Sequence, residues 1–267
     1  MAVSNILVSI DLSRNNAQLI KFCFEIAQKV DARVTFLHCF HPGIQDQNLL
    51  EKELEKKHLY DLITEVGASS FNYEMVDFGC SAQSGFAAEV IVDAVSNDSY
   101  DMLILAASGS EQSLFGSGIA YDLVDKLAVP IIIVPDIFRL VDVDRLLFNL
   151  EFEFREIEKM YDLLVLCNLI GASLSCIHAC NQAESVEAKC NIETYRRMFE
   201  GHILESMVDF ELLVNDKVVS IEAYAIQKEV DLLVLGKTRK TWRNQYSRTL
   251  EQKLVSNMNI PIMLIDI

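Results

Sequence analysis

The chain has 267 residues, of which 51% are hydrophobic, and its formal net charge at pH 7 is −16. This length fits about two domains, each with an apolar core. The negative charge disfavours non-specific binding to nucleic acids or to anionic membranes. No stretch approaches the ~18 apolar residues of a membrane span, and the segment before the first strand lacks the basic region of a signal peptide. We therefore expect a cytoplasmic protein.

The first half of the chain alternates short apolar runs with amphipathic stretches. The runs predict strands at 6–10, 33–38, 71–78, 101–106 and 131–134. Between them, helical spacing predicts a helix capped by Ser13, a helix over 47–66 with Gly67 as its C-cap, and helices over 85–96 and about 118–127. This β-α alternation predicts a parallel sheet covered by helices on both faces.

The second half repeats the first at an offset of 140 residues. The run ARVTFLH at 32–38 returns as ASLSCIH at 172–178, and the Asp-led run at 101–106 returns at 231–236. Strands are predicted at 146–150, 172–179, 207–214, 231–236 and 262–265, with helices at 155–169, 187–203, 218–228 and 243–257. A repeat of this length indicates a duplicated domain. We therefore expect two tandem open-sheet α/β domains, 1–138 and 139–267, each with five parallel strands.

One of the seven cysteine positions combines with a histidine in a pattern that needs weighing. Cys176, His178 and Cys180 alternate along a predicted strand, so their side chains share a face. Such a face could contribute to a metal site, but zinc ligands more often lie on turns with a C-x2-4-C spacing. The other reading is a core strand of small buried side chains. We expect no bound metal.

Ligands of an open parallel sheet bind at the carboxyl ends of its strands, where the strand order reverses. In the first half, the loops at such a point follow the first and fourth strands. The first begins with Asp11, and the second, 107–118, is rich in Gly and Ser before a predicted helix. Small residues allow a close approach of the backbone to phosphate. The alternative is an ordinary loop with a serine N-cap.

Several of these residues together resemble a known family. They are Asp11, the pair His38-Cys39, Gly79, the run 101–106, the pair Gly116-Ser117 and the run 129–134. The set is similar to universal stress proteins, as two tandem copies over nearly the whole chain. The resemblance implies the adenine nucleotide α-hydrolase-like fold. It also implies a site for ATP or AMP in some members, with the motif G-x2-G-x9-G-[ST] after the fourth strand.

The chain departs from that motif in both halves. In domain 1 the first glycine position holds Ala106, and six residues separate Gly109 from Gly116. In domain 2 the first glycine is kept as Gly236, but Arg239 stands at the second and Glu151 replaces the aspartate. The resemblance gives a nucleotide site in domain 1, which consists of Asp11, Cys39, Ala106, Gly109, Gly116 and Ser117.

The loop after the fourth strand of domain 2 is basic instead of glycine-rich. Guanidinium groups bind anions in place of backbone N–H groups in some proteins, so this loop is a candidate anion site. A solvated loop that balances an acidic domain is the alternative. The candidate residues are Gly236, Lys237, Arg239, Arg243 and Arg248.

We expect a non-catalytic stress-response or regulatory protein that requires no cofactor and takes ATP or AMP in domain 1. The alternatives are a ligand-free protein-interaction module and, less favoured, a nucleotide-hydrolysing enzyme. The runs 131–134 and 262–265 are the last strands of the two domains, and exposed apolar edges promote aggregation. We therefore expect the domains to pair along these strands as an intramolecular pseudo-dimer, with a further homodimer as an option.

Overall fold

The computed structural model describes most of the chain, and it contains two compact units, residues 3–140 and 141–267. The described residues are 3–12, 16–40, 48–69, 73–106, 123–124, 126–135, 138, 142–153, 155–201, 208–237 and 250–267. We call residues 3–140 unit 1 and residues 141–267 unit 2.

Unit 1 is a parallel sheet with strand order β3-β2-β1-β4-β5. The strands are β1 (Asn5–Ile10), β2 (Arg33–Phe40), β3 (Phe78–Ser84), β4 (Met102–Ala106) and β5 (Ile131–Val134). The described helices of this unit are α1 (Ala17–Val30), α2 (Asn48–Ala68) and α3 (Ala87–Asn97), with a short 3-10 helix at Tyr73–Met75.

Unit 2 repeats this arrangement with strand order β8-β7-β6-β9-β10. Its strands are β6 (Arg145–Asn149), β7 (Ser173–Cys180), β8 (Val208–Val214), β9 (Leu232–Lys237) and β10 (Ile262–Asp266). Its described helices are α4 (Glu156–Ile170), α5 (Ser185–Phe199), α6 (Lys217–Gln227) and α7 (Leu250–Asn257). The predicted class, two tandem α/β units with parallel sheets, is confirmed.

An aspartate fixes the start of the central strand in each unit. Asp101 precedes β4, and its Oδ2 accepts hydrogen bonds from the backbone N–H groups of Ser4 (2.8 Å) and Asn5 (3.0 Å). In unit 2, Asp231 Oδ2 accepts from the N–H groups of Asp144 and Arg145, both at 3.0 Å. Each aspartate also donates its own N–H to the strand it holds. The repeated Asp therefore sets the register between the first and fourth strands.

Helices pack on the sheets through aromatic side chains. In unit 1, Phe24 of α1 contacts Phe36 and Phe78 in edge-to-face geometry, with ring centroids 5.6 and 5.7 Å apart. In unit 2, Phe199 of α5 lies 5.8 Å from Phe210 of β8. The buried Phe36 and Phe199 each remove a large apolar surface from water, which is the main stabilising contribution to such a core.

The third strand and one helix end differ from the sequence prediction. Residues 71–78 were expected as a strand followed by Gly79, but Gly79 lies inside β3. The reason is that β3 is an edge strand with a largely polar sequence, so it lacks the apolar run that marks the other strands. Gly67 is not a C-cap, because α2 continues through it to Ala68. Helix α1 begins at Ala17, and the proposed cap Ser13 lies outside the described residues.

The described helices include none that is long and apolar enough to cross a lipid bilayer. The longest of them, α2, has 21 residues and a highly charged sequence.

The first helix of each unit ends in a left-handed residue at equivalent positions. Asp31 has φ 55° and Gly171, 140 residues later, has φ 78°. The next residue closes the turn in both cases: Ala32 N–H donates to Ala27 O (2.9 Å) and Ala172 N–H donates to Cys167 O (2.8 Å). Glycine adopts this conformation without steric cost, whereas a side chain is strained there. Asp31 is therefore a strained residue at a position that unit 2 solves with glycine.

We predict that Asp31→Gly raises the free energy of unfolding by about 0.5–1 kcal/mol, because it relieves the left-handed strain at an exposed helix end. Gly171→Asp should lower it by a similar amount, since nothing lies within 4 Å of an added Cβ and only the backbone cost remains. Urea unfolding measures both changes. Asp98→Gly is the matched control, because Asp98 ends α3 with φ −110°. An Asp31→Gly protein no more stable than the wild type would contradict the prediction.

Candidate functional site

Three residues predicted for the domain 1 site lie at the carboxyl edge of the unit 1 sheet. Asp11 follows β1, Cys39 is near the end of β2, and Ala106 ends β4. The register pairs Ile10 with His38 and Ser9 with Leu105, so β1 lies between β2 and β4. The strand order reverses there, which is the point where ligands of open parallel sheets bind.

Asn16 holds the loop between β1 and α1. Its side chain is buried, and its Nδ2 donates a hydrogen bond to the backbone oxygen of Asp11 at 2.8 Å. Asn16 is also the N-cap residue of α1. The loop that presents Asp11 is therefore tied to the start of the helix, and the exposed Asp11 side chain faces solvent at the sheet edge.

A buried histidine ends the second strand of each unit, and its ring binds the neighbouring strand. His38 Nδ1 lies 3.0 Å from Ile10 O, and His178 Nδ1 lies 2.6 Å from Leu150 O. A carbonyl oxygen only accepts, so Nδ1 carries the hydrogen and donates it in both rings. The two bonds join equivalent residues 140 positions apart, which supports a structural role for both histidines.

Burial disfavours ionisation of the thiols near this edge. It raises the pKa of Cys39 to about 11, and it does the same for Cys80 against a lowering contribution from Lys56. The ionised thiolate is the nucleophilic form of cysteine. Cys39 is therefore a thiol at neutral pH, and its contribution to a site would be shape and packing.

The corresponding edge of unit 2 is closed by a buried glutamate. Glu156 begins α4, and its carboxylate accepts hydrogen bonds from the backbone N–H of Glu151 (Oε1, 2.8 Å) and of Glu153 (Oε2, 3.1 Å). Its position is equivalent to Asn16, since 16 + 140 = 156, and the side chain is fully buried. Burial raises the pKa of this carboxyl to about 7, although the hydrogen bonds from the loop oppose that shift.

Phe152 fills the space beside this loop. It has φ 62°, which is unusual for a bulky residue. Its ring centroid lies 4.4 Å from the His178 ring and 5.4 Å from the Tyr195 ring. In unit 1 the equivalent positions are Leu12 and Glu55, and Glu55 Oε2 lies 3.8 Å from His38 Nε2. Aromatic side chains thus occupy in unit 2 what a carboxylate occupies in unit 1.

Two residues proposed for the domain 2 anion site have structural environments. Gly236 lies against Ile267, because a Cβ at this glycine would collide with the isoleucine side chain. Lys237 was expected in an exposed loop, but it is the last residue of β9 and is buried. The correction has a simple cause: the strand is one residue longer than its apolar pattern, so the first basic residue enters the sheet.

The face shared by Cys176, His178 and Cys180 belongs to the core of unit 2. All three side chains are buried, and burial raises the pKa of both thiols. The described residues contain no group of three His, Cys, Asp or Glu side chains with the geometry to hold a metal ion.

The remaining candidates cannot be placed. Gly109, Gly116, Ser117, Arg239, Arg243 and Arg248 lie outside the described residues. The geometry therefore brings together Asp11, Cys39 and Ala106 in unit 1, and Gly236 with Lys237 in unit 2.

The family model described as "Universal stress protein family" matches residues 3–135. The chain belongs to the universal stress protein family. Its second half repeats the strand order of the matched half, as expected of a tandem member. None of the curated proteins matches the chain.

Solved structures share the fold over the whole chain. A universal stress protein from Archaeoglobus fulgidus DSM 4304 has a TM-score of 0.74 and 16% identity, over 98% of this chain and 96% of that one. A putative universal stress protein from Pseudomonas aeruginosa UCBPP-PA14 has a TM-score of 0.67 and 14% identity, over 99% and 94%. The cytoplasmic domain of a prokaryotic cation chloride cotransporter reaches a TM-score of 0.57 at 11% identity, over 99% and 96%. At these identities the likeness concerns the fold.

Sequence reasoning missed the two residues that hold the loops after β1 and β6. Asn16 and Glu156 occupy equivalent positions, and an acidic residue in a first helical turn is a recognised stabilising pattern. The offset of 140 residues would have linked them. The burial of Glu156 could not be read in the same way, because isolated carboxylates are usually exposed.

Proposed function

We propose that this tandem universal stress protein is a non-catalytic stress-response or regulatory protein that binds ATP or AMP in domain 1. The supporting observation is the position of Asp11 beside Cys39 and Ala106 at the reversal of strand order in unit 1. The loop that contains Gly109, Gly116 and Ser117 would hold the phosphates. Domains 1–138 and 139–267 are the functional units of this proposal, and the cytoplasm is its compartment.

The chemistry of the described side chains favours binding over catalysis. The Nδ1 atoms of His38 and His178 are engaged by backbone carbonyls. The Cys39 thiol has a raised pKa and is a poor nucleophile at neutral pH. A general base needs a free nitrogen or carboxylate within hydrogen-bond reach of the substrate proton. We therefore propose binding without turnover.

We predict that calorimetric titration detects one ATP or AMP bound per chain, and that Gly116→Val weakens binding at least about tenfold, because a branched side chain blocks the approach of phosphate. Gly79→Val is the matched control. It makes the same change in β3, where the nearest atom to an added Cβ is Arg33 Nη2 at 3.5 Å, so its affinity should stay at the wild-type value.

Each outcome of that titration decides between functions. Equal binding by the wild type and Gly116→Val would remove Gly116 from the site. Binding of neither nucleotide by the wild type would leave the ligand-free interaction module as the function. Release of phosphate from ATP by the wild type would establish the hydrolase alternative.

A second candidate function concerns domain 2, where we propose that the basic residues after β9 bind an anion. The support is the position of Gly236 and Lys237 at the carboxyl end of β9, next to β6 in the sheet. Arg239, Arg243 and Arg248 would supply the guanidinium groups. The buried Lys237 adds a positive charge close to that edge.

We predict saturable binding of inorganic phosphate at low salt that weakens steeply as ionic strength rises, because surface charge contacts are screened. Replacing Arg239 and Arg243 with Gln should abolish it and leave the thermal midpoint nearly unchanged. Replacing the exposed Lys189 and Arg197 with Gln removes the same charge from α5 and should preserve binding. A wild-type protein without a saturable signal in low salt would exclude the anion site.

We further propose an intramolecular pseudo-dimer in which the last strands of the two domains pair, with homodimers as a further assembly. In a parallel sheet alternate N–H groups point to opposite neighbours. We therefore predict slow hydrogen exchange at every amide of 131–134 and 262–265. The edge strand β3 is the internal control, where alternate amides should exchange fast. Fast exchange at alternate amides of β5 and β10 would refute the pairing.

A further inference from the structure

Glu156 is the one acidic side chain among the described residues that is fully buried. It begins α4 at the carboxyl end of β6, and each of its oxygens accepts one backbone N–H of the preceding loop. Since a buried carboxylate is costly unless it is hydrogen-bonded, these two bonds are what makes the charge tolerable. The loop and the charge depend on each other.

The loop itself is held in a conformation that it would not adopt alone. Phe152 lies between the two amides that Glu156 binds, and its backbone has φ 62°. Its ring packs on His178 and Tyr195, and the Tyr195 hydroxyl lies 3.4 Å from Glu153 O. Residues strained in this way persist when several contacts fix them together. Loss of the Glu156 bonds would remove the anchors on both sides of Phe152.

We propose that Glu156 is a proton-operated latch, whose ionised carboxylate holds the β6–α4 loop closed and whose protonation releases the amides of Glu151 and Glu153. The reason is the donor count. A carboxylate has two accepting oxygens, whereas the protonated acid turns one of them into a donor. One of the two loop amides then faces a hydroxyl and loses its partner.

The surroundings set the pH at which this happens. Burial raises the pKa of the carboxyl to about 7, and the negative charge of Glu151 adds to that rise. The other groups that face Glu156 are Cys176 on β7 and Tyr195 on α5, and the pKa of each is raised by burial first and by Glu156 second or later. These two groups stay neutral near pH 7, so the latch changes charge within the range that a cell experiences.

The stability of the protein should follow the same group. The pKa rises from 4.5 to about 7 on folding, so the folded state binds the proton more tightly than the unfolded state. Between these values stability falls as pH rises, and above about 7 this contribution is constant. Glu156→Gln carries no proton and should flatten that part of the curve.

The direct test is an NMR titration of the full chain between pH 5 and 9. We expect the amide protons of Glu151 and Glu153 and the side-chain carboxyl carbon of Glu156 to shift with a common midpoint near 7. Histidines can change charge in the same range, so the carboxyl carbon identifies the group. Glu158→Gln is the matched control, because Glu158 is an exposed acid in the same helical turn, and it should leave the titration unchanged.

Hydrogen exchange of residues 150–153, corrected for its intrinsic pH dependence, tests the release of the loop. We expect more frequent opening at pH 6 than at pH 8 in the wild type and in Glu158→Gln, and no such difference in Glu156→Gln. The latch is overturned if the Glu156 carboxyl carbon shows no midpoint between pH 6 and 8. It is equally overturned if the loop opens with the same frequency at both pH values. Both measurements use the wild type, so they remain decisive if Glu156→Gln fails to fold.

Discussion

The register between the first and fourth strands of each unit is the constraint on which the rest of the fold depends. A single carboxylate, Asp101 in unit 1 and Asp231 in unit 2, captures two consecutive N–H groups at the start of the first strand. A shift of one residue in a strand would turn every buried side chain to the opposite face. With the register fixed at the amino ends, the carboxyl ends of β1 and β4, or of β6 and β9, must meet at the same edge, which is where ligands of this architecture bind.

The sequence was most informative where burial is complete and least informative at the edges. Central strands such as β4 and β9 are continuous apolar runs, so pattern and structure agree closely. The edge strand β3 is half exposed and polar, and the apolar alternation just before it attracted the strand prediction instead. Residues 73–75 of that region form a turn of 3-10 helix. Patterns of hydrophobicity report burial, and they fail where a strand is held mainly by backbone hydrogen bonds.

The candidate site shows the same division. The position of Asp11 at the end of a central strand follows from the pattern of β1, and the sheet edge follows from the β-α alternation. The roles of Gly236 and Glu156 do not follow from any local pattern. Gly236 is explained by contact with Ile267, 31 residues later, and Glu156 by the two loop amides that its carboxylate accepts. Contacts of this kind depend on side-chain packing, which a single sequence does not specify.

The duplication has preserved the framework and changed the edge. The Asp clamps, the histidine-to-carbonyl bonds and the left-handed helix ends occur in both units at equivalent positions. The loops after β1 and β6 have diverged, from Asp11 with Asn16 to Glu151 with Glu156. Because the framework is common, each unit shows what the other would be with different loop residues. The two halves have the same architecture and different surfaces for recognition.

The distribution of the seven thiols has a practical consequence for spectroscopy. Four cysteines are buried, Cys39 and Cys80 are half-buried, and Cys190 on α5 is exposed. Maleimide reagents need an accessible thiolate, so they should react first with this helix. The native chain therefore already contains a single preferred attachment point for a dye or a spin label. A probe on α5 would lie on the helix that carries Tyr195, within reach of changes in the neighbouring loop of unit 2.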